Sequence, residues 1–379
     1  MDTIILFRQK VSNTLIDRKI LMRSSVKFNN VNTVFSKSLK NRINDYFIEN
    51  SKKKTGGGQL KIKAGILLFS LVVFYVLLVF VRPHWLISVP LSILFGVNLA
   101  LIGFNVMHDA GHDTFSSNKK VNSLFSYSLN LLGGNIYLWK LKHNIAHHTY
   151  TNIEGEDFDI EVKFMRLHEE QQHKGYHRFQ QYYFILLYGI SYLAWVFYQD
   201  FEKYFRMRLS KNSEPFKLPL KEKMIFWISK IINILILVVI PVYFVGWVAA
   251  LVGLILAGMA CGLCLAVVFQ LAHVVTETEF TTTSVENSKI ENEWMIHQLS
   301  STANFATKNK ALTWLLGGLN FQVEHHLFPR ISHIHYPALN KIVKKTCQEF
   351  GVGYNEFSSF GKAFQSHLSV IQSMSLAAR

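Results

Sequence analysis

The sequence predicts an all-α integral membrane protein, with four transmembrane helices in two hairpins and a cytoplasmic helical cap that carries clusters of histidine. Three observations predict it. Half of the 379 residues are hydrophobic, and they gather in runs longer than a globular core needs. The segments between the runs are rich in Lys and Arg, within a net charge of +15. Histidines recur in short clusters, and every cluster falls beside the same ends of the runs. The three cysteines cannot build a disulfide framework, and Cys261 and Cys264 lie inside an apolar run, so they indicate no oxidising compartment.

Residues 1–63 form a basic, polar N-terminal extension without the apolar core of a signal peptide. The runs 64–81 and 85–107 follow, both uncharged and joined by three residues, and each is long enough to cross about 30 Å of hydrocarbon. A second hairpin comes from 224–245 and 247–269. Lys230 sits near the start of its first helix, where a long side chain can snorkel to the interface. The hairpins leave a cytoplasmic segment at 108–223 and a cytoplasmic C-terminal cap at 270–379.

Charge sets the orientation. The first 63 residues hold fourteen Lys and Arg against four Asp and Glu, which marks them as cytoplasmic. Two hairpins return the chain to that side twice, so both termini are expected there. The positive charge then belongs to a membrane-apposed face. No helix-turn-helix, zinc-finger or RNA-recognition pattern is present, so nucleic acid is not expected as a partner.

This topology brings the histidines to one side. His108 and His112 in "HDAGH" follow the second span, and His273 in "QLAH" follows the fourth. His143, His147 and His148 in "HNIAHH", and Gln322, His325 and His326 in "QVEHH", lie in the two cytoplasmic segments. An i, i+4 pair on a helix stacks two imidazoles on one face and can chelate a divalent metal. One such pair is commonly a surface feature; three clusters argue for a metal site. Eight histidines exceed what one tetrahedral metal can use, and imidazole alone does not choose between iron, zinc, copper and nickel.

These boxes resemble those of the membrane fatty-acid desaturases, over about residues 60–350. The chain is most similar to the front-end, linoleoyl-CoA-type acyl desaturases, in which glutamine replaces the first histidine of the third box, as Gln322 does here. "WKLKHNIAHHTYTNIEGEDFDIE", "QLAHVVTETEF" and "GGLNFQVEHHLFPRISHIHYP" resemble bacterial members. The resemblance implies a non-haem di-iron centre held by His108, His112, His143, His147, His148, His325 and His326, with Gln322 in the place of a box histidine. It adds His273, for which His297 is a rival. It implies an O2-dependent oxidoreductase that introduces a cis double bond into an acyl-CoA or acyl-lipid, with Δ5/Δ6-type regiochemistry. It also implies a multi-pass protein of the bacterial inner membrane. An apolar tunnel between spans and cap would place the reacting carbons and exclude water.

The cytochrome b5 signature "HPGG" is absent, so a separate ferredoxin or cytochrome b5 is expected as electron donor. The acidic stretch "EGEDFDIE" reads as a solvated loop, with support for the histidines as the alternative. His168, His173 and His177 read as polar loop or surface helix, and His333 and His335 as supports for the third box. Gly133, Gly134, Gly317 and Gly318 read as close-packing points or breaks. Two rivals remain open. A membrane hydroxylase uses similar boxes. A metal transporter would place ionisable ligands at membrane depth, and the four predicted spans lack Asp, Glu and His.

Overall fold

The computed structural model describes residues 26–376 apart from 30, 161, 211–212 and 283–288. The first 25 residues of the N-terminal extension and the last three of the cap lie outside the described residues. The principal helices are α1 (Val34–Glu49), α2 (Gly58–Val81), α3 (Trp85–Gly111), α4 (136–150), α5 (Gly175–Arg206), α6 (Leu220–Val245), α7 (Trp247–His273), α8 (Gln322–Leu327), α9 (Tyr336–Phe350) and α10 (Phe360–Ser375). The chain is mostly helical, with two short parallel pairings: 27–28 with 289–290, and 304–305 with 356–357.

Among the described residues, five helices are long and apolar enough to cross a membrane, one more than the predicted runs: α2, α3, α5, α6 and α7. The additional one, α5, escapes a hydropathy reading because Gln, Tyr and Ser are spread along it, and it is the least apolar of the five. Each of the other four extends its predicted run at one end, α2 and α6 at the start and α3 and α7 at the finish. α3 continues through His108 to Gly111, and α7 ends on His273, so these spans deliver site histidines directly on their last turns.

Small residues set how closely the helices approach. A Cβ on Gly96 of α3 would lie 2.1 Å from the Ala257 carbonyl of α7, and one on Gly262 would lie 2.2 Å from the Gly189 carbonyl of α5. Without a hydrophobic drive between helices in lipid, such close packing holds them together. α7 is thereby wedged between α3 and α5. Gly317 belongs to a break: its φ is +59°, and a Cβ there would meet the Phe104 carbonyl at 2.5 Å.

Where that break meets α3, Asn105 donates from Nδ2 to the Leu101 carbonyl (2.8 Å) and to the Leu315 carbonyl (2.7 Å). The amide competes with the helix's own ladder, and residues 103–107 form a π-helical turn immediately before His108. A second π-helical stretch, 140–147, carries His143 and His147. The backbone winds wider at the second box, yet the His143 and His147 rings still stack, with centroids 5.0 Å apart.

Lys230 does not snorkel. Its ammonium is buried, donates to the Gly133 carbonyl (2.6 Å) and the Val196 carbonyl (2.9 Å), and pairs with Asp200 at 2.9 Å. Trp195 Nε1 donates to the other Asp200 oxygen at 3.0 Å. The group ties α5 and α6 to the glycine turn that leads into α4.

The cap is built on α9. Phe35, Leu39, Ile43 and Phe47 of α1 pack with Leu339, Val343 and Cys347 of α9, so this part of the extension is a docked helix rather than a polar lead. The strap after α1 crosses between two boxes. The Lys54 carbonyl accepts from Ser332 N (2.8 Å), and Gly56 N donates to the Thr114 carbonyl (2.8 Å).

Removing one partner of the Lys230–Asp200 pair strands a buried charge. Lys230→Met should cost about 3–5 kcal/mol, read as a lowered unfolding midpoint in detergent. Adding Asp200→Asn should recover part of the loss; a Lys230→Met protein as stable as the parent would rule out this role.

Candidate metal centre

Each box sits where two elements meet. α3 supplies His108 and, just past its end, His112; α4 supplies His143, His147 and His148; α7 supplies His273; α8 supplies His325 and His326. All eight are buried. Their ring nitrogens converge in three overlapping groups, each within 4.8 Å: His108, His112, His143 and His325; His147, His273 and His326; His148, His325 and His326. The overlap describes two lobes joined by His148, His325 and His326. The His148 ring lies 4.6 Å from that of His325 and 4.5 Å from that of His326.

The nitrogens on the outer side of the cluster are anchored. His143 Nδ1 donates to Asp159 and His147 Nδ1 to Asp157, both at 2.8 Å. His326 Nδ1 donates to Gln298 Oε1 at 2.9 Å, and His273 Nδ1 to the Ser301 carbonyl at 3.3 Å. His325 Nδ1 lies 3.0 Å from the Tyr336 hydroxyl. The first four partners only accept, so Nδ1 carries the proton and the Nε2 lone pair is left for a metal.

The inner nitrogens are orphans. Nε2 of His112, His143, His147, His148, His273, His325 and His326 is buried and has no hydrogen-bond partner among the described residues. An unpaired buried polar atom is costly, and seven aimed at one volume fit bound metal. Burial and the neighbouring imidazoles hold His112, His148, His325 and His326 well below the usual histidine range, so these rings are neutral. Burial also lowers His143 despite Asp159; at His147 the charge and hydrogen bond of Asp157 outweigh burial and raise it. Burial pushes the Glu324 carboxyl up to about 7, against donors from Asn304, Tyr354 and Asn340.

Boxes are also bonded to one another. Asn144 Nδ2 donates to the Gly111 carbonyl at 2.9 Å, joining the second box to the first. A Cβ on Gly111 would lie 2.5 Å from the Trp139 ring, which stacks on His143 at 4.6 Å. The glycine of "HDAGH" is thus what admits Trp139. Phe269 closes the other lobe, 5.1 Å from His147 and 4.9 Å from His273.

Several sequence expectations change here. His297 is not in the cluster: its Nε2 lies 2.8 Å from the Thr151 carbonyl, and the Gln298 beside it is the residue that reaches His326. The acidic stretch is no solvated loop at its centre, because Asp157 is buried and Asp159 takes Lys142 at 2.8 Å as well as His143. Two carboxylates ten to sixteen residues after the box histidines were the available signal, and their loop composition disguised it. His333 supports the first box: its Nδ1 meets Asp109 at 2.8 Å, and Ser332 Oγ donates to the same carboxylate at 2.6 Å. His335 packs on Phe47 instead. His168 and His177 are in irregular or short helical segments but buried, His168 against Phe280. Gln322 is buried at the start of α8, one turn before the histidine pair.

Similarity to known proteins agrees with this geometry. The sequence pattern of the fatty acid desaturase family matches residues 83–358. The chain is 33% identical to the sn-1 linoleoyl-lipid 6-desaturase of Synechocystis sp., over 90% of this chain and 96% of that protein. It is 31% identical to the enzyme of the same name from Arthrospira platensis, over 90% and 93% of the two chains. It is also 31% identical to the acyl-lipid (8-3)-desaturase of Physcomitrium patens, over 89% and 71%.

Asp157 should matter to metal retention although it faces away from the cluster centre. Asp157→Ala leaves His147 Nδ1 without its acceptor, and metal affinity should fall about 10–100-fold. The metal-to-chain ratio after dialysis against graded chelator measures this, and a ratio equal to the parent's at every concentration would contradict it.

Proposed function

The chain belongs to the fatty acid desaturase family, and on that premise we propose that it desaturates lipid-linked acyl chains on the carboxyl side of an existing double bond, at position 6. It is an O2-dependent oxidoreductase of a multi-pass membrane type. The observation that carries the site assignment is the set of unpartnered Nε2 atoms converging from four segments. The lipid form and the bond position rest on the names of its relatives, two of which are linoleoyl-lipid 6-desaturases.

We assign two iron ions to the two lobes. His108, His112 and His143 would hold one, His147 and His273 the other, and His148, His325 and His326 would be available to either. When bound, the irons supply the O2-derived oxidising power that an unactivated methylene demands and that no acid–base group offers. Two adjacent carbons each lose a hydrogen, and O2 leaves as two waters; two of its four electrons come from the acyl chain and two from a donor, and solvent supplies the two further protons. The chain's own share is placement and dryness. Asp157, Asp159, Gln298 and Tyr336 fix the ring planes, and Trp139 and Phe269 wall the lobes. Gln322 offers a carbonyl oxygen and an amide beside the third box, able to hydrogen-bond a metal-bound water. A separate acidic donor, ferredoxin or free cytochrome b5, suits the basic face that the boxes share.

Parity supports a topology of four crossings. Between His147 and His273 the chain runs through α5, α6 and α7, yet their rings lie 4.7 Å apart. Three full crossings would leave them on opposite sides. α5, the least apolar, is the helix that does not cross. Its first turn is tied to the cap through Gln180, which donates to the Arg166 and Ile371 carbonyls, and its last turns sit by the entry of α6 through Tyr204 and Trp227. We therefore place four crossings in a bacterial inner membrane, with α5 along the cytoplasmic interface and both termini cytoplasmic.

Expression in a host of defined fatty acids, with chromatography of the derivatised lipids, should show an added double bond; a hydroxy acid would favour the hydroxylase reading. His325→Ala and His326→Ala should abolish the product, and Gln322→Ala should remove most of it at unchanged protein level. Full activity of Gln322→Ala would make the glutamine a bystander.

Topology has its own check. In a cysteine-free background, Asn50→Cys, Glu169→Cys, Glu214→Cys and Lys341→Cys should all label from the cytoplasmic side. Labelling of position 214 from outside would mean that α5 crosses.

A further inference from the structure

One residue outside the boxes bonds to both sides of a single lobe. Asn152 lies five residues after His147, is fully buried, and has φ of +56°, in the left-handed region that asparagine tolerates better than most residues. Its backbone N–H donates to Asp157 Oδ2 at 3.0 Å, the same oxygen that takes His147 Nδ1. Its side-chain Nδ2 donates to the His273 carbonyl at 2.9 Å and to the Glu279 carbonyl at 3.2 Å. Its own carbonyl accepts from Thr281 N at 2.9 Å. Four bonds from one residue thus span from the orienting partner of His147 to the helix end that presents His273.

We infer that Asn152 is the positioning residue of the second lobe, setting His147 and His273 at a common metal and having no such hold on His108, His112 or His143. The chemistry at this position is restrictive. The backbone needs a residue that accepts positive φ, and the two carbonyls need two amide hydrogens from one side chain. Glycine meets the first requirement and not the second. Aspartate has the shape but only acceptors, and would face both carbonyls with negative charge. Asparagine alone among these satisfies both.

The inference rests on the two-metal reading, and the test separates the two. Asn152→Gly and Asn152→Asp are purified beside the parent, with fold judged by helical circular dichroism and elution in detergent. The parent should hold about two metal ions per chain and each variant about one, because support lost around a ligand costs about 10–100-fold in affinity. Release to a chelator should show one phase unchanged and one at least about tenfold faster. Folded variants that keep both ions at parental release rates overturn the inference, as does loss of both ions together. Asn152→Gly decides the matter if the aspartate destabilises the chain. A parent with fewer than two ions overturns the two-metal reading itself, and the inference with it.

Discussion

Eight imidazoles share one dry volume more readily when their rings carry little charge and their outward nitrogens are fixed. A free ring would rotate, and a protonated one would repel its neighbours in a medium that screens little. For five of the eight rings the fold fixes the outward nitrogen with partners from several elements: carboxylates after α4, an amide and a carbonyl from the segment before α8, and a hydroxyl from α9. The inward nitrogens are left unpaired at an energetic cost that only a ligand offsets. Helix ends, strap and cap are arranged around that requirement.

Polar groups inside the helices serve the same end at a distance. Asn105 bonds to the Leu101 and Leu315 carbonyls within the π-helical turn ahead of His108, and Lys230 with Asp200 pins the turn from which α4 starts. Neither touches the cluster. Both fix where a histidine-bearing helix begins or ends, which is the quantity that metal geometry tolerates least.

Much of this was legible from sequence because it is periodic or clustered. The four longest apolar runs, the basic face and the boxes are local signals, and the fold brings the box histidines into one buried cluster. What escaped was relational. α5 reads as half-polar because its polar groups meet α6, α7 and α10 rather than water. Asp157 and Asp159 read as loop because acidic, glycine-bearing stretches usually are solvated, and only the fold shows them turned inward. Sequence favours His273 with His297 as its rival, and the structure places the His273 ring in the cluster and the His297 ring against the Thr151 carbonyl. Gln298, Thr151 and Asn152 carry no motif that chemistry alone would single out.

The strap between α1 and α2 joins the earliest part of the chain to the latest. Residues 54–56 are stitched to Thr114 and Ser332, and residues 27–28 pair with 289–290. A ribosome-bound chain that has already inserted α2 and α3 still lacks the third box, and its strap has nothing to close against. Loading of metal is therefore an event that follows synthesis, when the last third of the chain returns to the first. Contacts so distant in sequence form slowly, and until they do the histidines of α3 and α4 stand open to whatever divalent ion is most abundant around them.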